Sequence, residues 1–283
     1  MHARCRRLRH PARTTRRRAR GRRPLAPDRV GNCPRPRRRV RRGHQQHRVR
    51  PARHARQYES GLHLQGASGN NQVLDLDSHG NRDPRKNGES ADGLAVEEGS
   101  GTGNVVRGAR LWNNSDDGLD HWMSSSPVLT ENSLARGNGF NRWDPPDFTG
   151  DGNGLKPGGN GVAADHAVRN TMAWDDAAGG IVDNDNPGRH RIERSTAWGN
   201  PKTGFRFDRS TGTLTEDLAA ANGTNASLGT TSTGTGNSWD LGGDWSFVST
   251  DPTTITGPRA RDGSIPSSTF LRPTNNSDVG ARF

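Results

Sequence analysis

A glycine followed by an apolar residue recurs through the middle of this chain, as Gly61-Leu62, Gly93-Leu94, Gly118-Leu119, Gly154-Leu155, Gly180-Ile181 and Gly204-Phe205. From each glycine it is 15 to 19 residues to a small or apolar position (Ser78, Leu111, Ala135, Ala173, Ala197, Ala219). Three residues beyond that stands Asn81, Asn114, Asn138, Asp176, Asn200 or Asn222. A unit of about 22–24 residues, lengthened twice by insertions, marks a solenoid whose repeats bury their apolar faces against one another. Helical spacing of apolar residues is absent. Short strand-like stretches (Val105-Val106, Val128-Leu129, Val168, Arg191-Ile192, Leu214) alternate with turn clusters of Gly, Asn, Asp and Ser. About three short strands per unit predict an all-β chain: a right-handed parallel β-helix whose coils stack about 4.8 Å apart. The repeated Asn then forms a ladder of side-chain amides inside the turns.

Composition narrows the alternatives. The 37 glycines, few aromatics and mean hydropathy of −1.01 oppose a helical fold, and no apolar run is long enough to span a membrane. Residues 1–56 hold 22 arginines against the single acid Asp28, a charge of +21, so the net +11 leaves −10 for the rest. That arm, with little to bury, is expected to be disordered. It lacks lysine and stacking aromatics, so nucleic-acid binding is not expected of it; its Arg/Ala/Pro/Gly/His bias is what a GC-rich gene gives in the wrong reading frame. Cys5 and Cys33 both lie there without metal-ligand spacing, and the body has no thiol. The expected organisation is a disordered segment over 1–56, a β-helix over 57–250 with its first coil near Gly61, and an extended tail over 251–283 packed along it.

Register makes the site. Side chains alternate along a strand, so the residue two after each glycine shares one outward row: His63, Ala95, Asp120, Lys156, Val182, Arg206. The residue before each glycine forms a second row: Ser60, Asp92, Asp117, Asn153, Gly179, Thr203. Asp92 and Asp117 thus fall about 5 Å apart on neighbouring coils, with Asp116 and Asp120 flanking Asp117 and Lys156 one coil above Asp120. Four carboxylates this close repel unless a cation is present, and hard oxygen ligands without His or Cys select Ca²⁺ or Mg²⁺, with a flexible cluster favouring Ca²⁺. Lys156 is either a cross-coil salt-bridge partner of Asp120 or a general base, its pKa lowered towards neutrality by a neighbouring cation and arginine. A base beside a metal suits removal of a proton alpha to a carboxylate, which on a uronic acid leads to β-elimination.

Three runs, Ala91-Asp92-Gly93-Leu94-Ala95, Trp112-Asn113-Asn114-Ser115-Asp116-Asp117-Gly118-Leu119-Asp120 and Gly152-Asn153-Gly154-Leu155-Lys156-Pro157-Gly158-Gly159, resemble polysaccharide lyase family nine. The resemblance runs from about Tyr58 to Phe283. It implies a secreted bacterial pectate lyase with Asp92, Asp116, Asp117 and Asp120 on Ca²⁺ and Lys156 as the base. An acidic polysaccharide, polygalacturonate or pectin, would be the partner, and no nucleic acid, no membrane and a monomer are expected. Pro157 stands where the family has Leu. Trp143, in the inserted stretch 139–153, is expected to wall the sugar groove, and Arg206 to bind a substrate carboxylate. Trp112, Trp174 and Trp198 share a repeat position and read as structural. Asp147, Thr149 and Asp151 loosely imitate an EF-hand start. Competing classes are a β-helix that binds glycan without cleaving it and a β-helix glycoside hydrolase, the latter leaving Lys156 unexplained.

Overall fold

The computed structural model describes Arg48, Val49 and residues 52–283; the Arg-rich segment expected to be disordered lies, up to residue 47, outside the described residues, as do Cys5 and Cys33. Three parallel sheets run the length of the body. The first joins eight strands, from Arg48–Val49 and Gln72–Leu74 to Thr233–Thr235. The second joins seven, from Arg53–Ala55 and Asp77–His79 to Leu218–Ala220. The third, here the site sheet, also joins seven: Leu62–Gly66, Leu94–Gly99, Leu119–Asp120, Leu155–Lys156, Ile181–Val182, Thr203–Phe207 and Thr224–Leu228. Each strand pairs in parallel with its counterpart one coil on, which is the β-helix that the repeat spacing requires.

Alternation sorts each strand's residues between inside and outside. Leu62, Leu94, Leu119, Leu155, Ile181 and Phe205 of the site sheet point inward and meet Val106, Val128, Val168, Ile192 and Leu214 of the first. The second sheet offers small residues, Ala135, Ala173 and Ala197, because the repeated glycines approach them. A Cβ on Gly118 would lie 2.4 Å from the Gly154 carbonyl oxygen and 2.8 Å from the Ala135 Cβ. The same glycine would also press the Asn138 amide at 3.0 Å. Glycine recurs because no other residue fits between the small rung and the ladder.

That ladder is buried from Asn81 through Asn200 and is broken once at the level of side chains, at Asp176, whose N–H donates to Asn200 Oδ1 at 3.0 Å. Asn81 Nδ2 donates to Asn114 Oδ1 at 2.9 Å, Asn114 to Asn138 at 2.9 Å, Asn138 to Asp176 at 2.8 Å, and Asn200 to Asn222 at 3.0 Å. The first coil does not begin near Gly61. Arg48–Val49 and Arg53–Ala55 already pair with Gln72–Leu74 and Asp77–His79, and Ala52 packs on the core, so a partial coil precedes it. Beyond the last coil, Ile255, Ile265, Phe270 and Leu271 bury against Leu134, Met172 and Trp174 of the second sheet. Arg259 anchors this crossing with bonds to Asp77 (2.7 Å) and to the Leu76, Gly108 and Gly263 carbonyls.

Candidate active site

Both rows read from the sequence exist in the site sheet. His63 pairs with Ala95, Ala95 with Asp120, Asp120 with Lys156, and Val182 with Arg206. In the other row, Ser60 Oγ donates to Asp92 Oδ2 at 2.8 Å and the Asp117 N–H to Asp92 Oδ1 at 3.1 Å. Asn153 then donates its N–H (2.6 Å) and its side-chain amide (3.0 Å) to Asp117 Oδ1. The turn that delivers Asp116 and Asp117 starts at Asn113, in the left-handed region at φ 56° that Asn tolerates. Asp116 serves the two inserted loops. Its carboxylate accepts the Ser90 N–H at 2.6 Å and the Asp151 N–H at 2.7 Å. Thr149 donates to Asn87 and Lys86 carbonyls, so the insertions brace each other as well.

The acidic middle of these rows is nevertheless closed to bulk water. Asp92 and Asp117 are 0 % exposed, and Asp116, Asp120 and Lys156 4 %. Lys156 Nζ lies 2.7 Å from Asp117, 2.9 Å from Asp120 and 2.9 Å from Asp151. Burial pushes the carboxyls of Asp92, Asp116 and Asp120 well above the usual carboxylate range; the neighbouring acids add to the rise and the Lys156 ammonium opposes it. Asp117 is raised too, chiefly by burial, but Lys156 and the Asn153 N–H oppose the rise. Burial likewise pushes Glu97 to about 7. The lowering expected of Lys156 belongs to the cation-bound site; among the protein's own groups the balance runs the other way. Burial does oppose its charge, but Asp117, Asp120, Asp116 and Asp151 outweigh it and hold the ammonium well above its usual range. Arg206 is two strands away, too far to offset four carboxylates.

The cluster fits a hard divalent cation. Carboxylate oxygens of Asp92, Asp116 and Asp117 converge within 4.8 Å, as do those of Asp92, Glu97 and Asp120. Asp120 Oδ1 is buried with no hydrogen-bond partner, and one ammonium cannot neutralise so many acids. No sulfur or imidazole joins the set, which suits calcium. His121, next to Asp120, turns inward and stacks on His166 at 4.8 Å, which stacks on His190 at 5.7 Å.

Glu97 and Asp151 escaped the sequence reading. Glu97 lies two residues beyond Ala95 on one strand, so alternation alone could have found it. Asp151 sits in an insertion, where register gives no guide. Its side chain accepts from the Lys156 ammonium, and the Thr149 N–H donates to the neighbouring loop, so both residues of the EF-hand-like stretch are engaged within the protein. Pro157 is accommodated: proline drives the preceding residue to extended backbone, and Lys156 already ends a strand. Trp143 packs over Gly80 in the corner leading out of the second sheet, 4.0 Å from where a Cβ on that glycine would be. Trp112, Trp174 and Trp198 share one row with Arg136, and Phe270 of the tail meets Trp174 and Trp198 edge-on. Arg206 lines a cavity that also reaches Asp151.

Comparison with known proteins agrees with this fold. Residues 39–237 match the family model described as the Pel9A-like right-handed β-helix region. The pectate lyase PEL9 of Emericella nidulans is 49% identical over 248 residues, covering 79% of this chain and 60% of that protein. Pectate lyase L of Dickeya chrysanthemi is 33% identical over 232 residues, 78% of this chain and 53% of the relative. Among solved structures, pectate lyase Pel9A superposes with a TM-score of 0.73 at 30% identity, over 82% of this chain and 59% of its own. A rhamnogalacturonan lyase shares the fold alone, with a TM-score of 0.67 at 24% identity over 81% of this chain and 64% of its own. The chain therefore spans about half to three-fifths of the length of these curated relatives.

Proposed function

This chain belongs to the Pel9A-like right-handed β-helix family, and from that premise we propose that it is a calcium-dependent pectate lyase cleaving polygalacturonate by β-elimination. It would act outside the cell, as a monomer, on the acidic polymer. One observation carries the reading: Lys156 Nζ stands within 2.9 Å of Asp117, Asp120 and Asp151, and the first two belong to the cation-fitting cluster.

Asp92, Asp116, Asp117 and Asp120 would hold the calcium ion, with Glu97 close by. When bound, the cation supplies charge that neutralises these carboxylates, lowers the acidity barrier at the carbon alpha to a substrate carboxylate, and relieves Lys156 of balancing the cluster. The chain's own residues do the rest. The strand ending at Lys156, stiffened by Pro157, fixes the amine on the groove face. Asp151, whose side chain is 57% exposed, is the partner a sugar could displace, freeing Nζ towards the groove. Neutral Lys156 then takes the C5 proton of a uronate; the C5–H pair forms the C4=C5 double bond, and the C4–O bond breaks with its electrons to the leaving chain. A positioned base of this kind contributes about 10²–10⁴ in rate. Lys156 is itself only 4 % exposed, which limits water around the amine.

The test incubates the protein with polygalacturonate, with and without calcium, and follows near-ultraviolet absorbance of the 4,5-unsaturated product. Calcium-dependent growth of that absorbance is expected. New reducing ends without unsaturation would replace the lyase with a hydrolase, and pectate binding without either product would leave a glycan-binding relative.

A further inference from the structure

A third outward row of the site sheet runs beside Lys156. Glu97 follows Ala95 by two residues, and Trp122 follows Asp120 by two. The Glu98 N–H donates to the Trp122 carbonyl at 2.9 Å and the His121 N–H to the Lys156 carbonyl at 2.9 Å. Parallel register thus carries Gln65, Glu97, Trp122, Gly158 and Asn184 into one line. One strand and two residues separate Trp122 from Lys156, about 8 Å between backbones. The chain clears space for the indole: a Cβ on Gly159 would lie 2.4 Å from Trp122 Cδ1 and 3.0 Å from Asn184 Nδ2. Asn184 in turn donates to the Gly158 carbonyl at 3.1 Å, which holds the glycine turn in place. It also lines the cavity of about 200 Å³ shared with Asp151, Asn153 and Val182. Trp112, Trp174, Trp198 and Trp239 each meet another ring, whereas no ring or guanidinium stacks on Trp122 among the described residues. Trp122 is 37% exposed, between Glu97 and Asn184. Trp143, expected at the groove wall, packs instead at Gly80. A flat indole left in water beside a cavity gains most by taking the apolar face of a ligand.

We propose that Trp122 is the stacking platform for the sugar ring next to the one at Lys156, and that it selects rings of galacto configuration. The inference rests on the lyase reading for the place of the first ring. A galacto-configured pyranose carries its C4 oxygen axially, which leaves the C3, C4 and C5 hydrogens together on one face as an apolar patch. The reacting ring cannot stack by that face, because its C5–H must be turned to Nζ. Successive rings of an α-1,4-linked chain are rotated about the chain axis. The neighbour can therefore lay its patch on the indole while the first ring presents its C5–H, and the stacked ring orients the reacting one. An equatorial C4 oxygen puts the C4 hydrogen on the opposite face and breaks up the patch. Stacking needs no charge on the uronate, so a methyl-esterified ring should meet the indole as well as an acid does.

The test uses the Lys156→Met protein with calcium present, whose turnover is slow enough for binding to be read, alone and combined with Trp122→Phe or Trp122→Ala. Calorimetry measures trigalacturonate, its methyl ester and a β-1,4-linked triglucuronate. Trp122→Ala should weaken both galacturonate ligands by about tenfold, what burying roughly 60 Å² of apolar surface is worth, with Trp122→Phe intermediate. Triglucuronate binding should change little, so the preference for galacto rings should shrink by the same factor. In the protein that keeps Lys156, Trp122→Ala should raise KM for polygalacturonate more than it lowers kcat. Calcium affinity and Tm, measured alongside, should stay at the parent values. Unchanged trigalacturonate affinity in Trp122→Ala, an equal loss for triglucuronate, a parent that binds no trimer, or a matching fall in calcium affinity overturns the platform. If the trimer binds through Trp122 yet wild type yields no unsaturated product, the lyase reading falls and the platform stands. Cleavage by Trp122→Ala at wild-type KM sinks the platform alone.

Discussion

Asp176 occupies a rung that asparagine fills above and below it, and replacing it by Asn tests the ladder that sets the register of the whole site. Asp176 is fully buried; its Oδ1 accepts the Asn138 N–H at 2.9 Å and side-chain amide at 2.8 Å, while Oδ2 has no partner. Burial pushes its pKa well above the ordinary carboxylate value. The fold therefore prefers the protonated acid, whereas the unfolded chain ionises near pH 4. Stability contributed here falls as pH rises above the unfolded value, by up to about 1.4 kcal/mol per pH unit while the folded carboxyl stays protonated. The Asn138 and Asn200 amides donate to the Leu111 and Ala173 carbonyls at 3.3 and 3.2 Å, so by register an amide at 176 reaches the Ala135 carbonyl. That restored bond adds about 1 kcal/mol at any pH. Equilibrium urea unfolding of wild type and Asp176→Asn, metal chelated, at pH 5 and pH 8, measures the difference. The variant should be more stable at both, with a larger gain at pH 8. A gain that is absent, or equal at both pH values, refutes the dry rung.

Other outcomes follow from the same structure. Calcium at about a hundredfold its Kd should add about 2.7 kcal/mol by mass action and raise Tm, an effect that Asp117→Asn should largely remove; an unchanged Tm in thermal scans would count against the metal site. The buried rings of His121 (about 3) and His190 (about 4) have pKa values depressed by burial, and His166 lies well below 6.5. The stability they confer as neutral groups is present above the unfolded value and lost as pH falls from about 6.5, by about 1.4 kcal/mol per pH unit for each ring. His190→Phe, which keeps the edge contact with Phe207, should flatten unfolding free energy between pH 6.5 and 4 by one such slope. Arg259→Ala should cost about 2–4 kcal/mol in urea unfolding, because it strips one guanidinium from Asp77 and three backbone carbonyls of their donor.

Much of the site was readable because a solenoid converts sequence spacing into distance. The Gly-to-Asn spacing placed Asp92, Asp117, Asp120 and Lys156 on adjacent coils, and the observed pairing is the same residue for residue. Where the repeat is interrupted, the sequence carries no register: Asp151 comes to Lys156 from an insertion. The three stacked histidines hid for the same reason, being 45 and 24 residues apart. The first strands at Arg48–Val49 and Arg53–Ala55 were masked by arginine-rich composition, although their backbones pair like any other coil. The protein's own carboxylates hold Lys156 protonated, so its lowering towards neutrality is left to a bound cation. Four carboxylates within reach outweigh one distant arginine.

Lys156→Met tests the central claim most directly, with calcium affinity and unsaturated-product formation measured on the same preparation. Removing the ammonium 2.7 and 2.9 Å from Asp117 and Asp120 frees two carboxylates, so calcium should bind at least as tightly as in wild type. Turnover should fall by about 10²–10⁴ with the loss of the base. A variant that retains wild-type turnover would contradict the account, because some other group would then be taking the C5 proton.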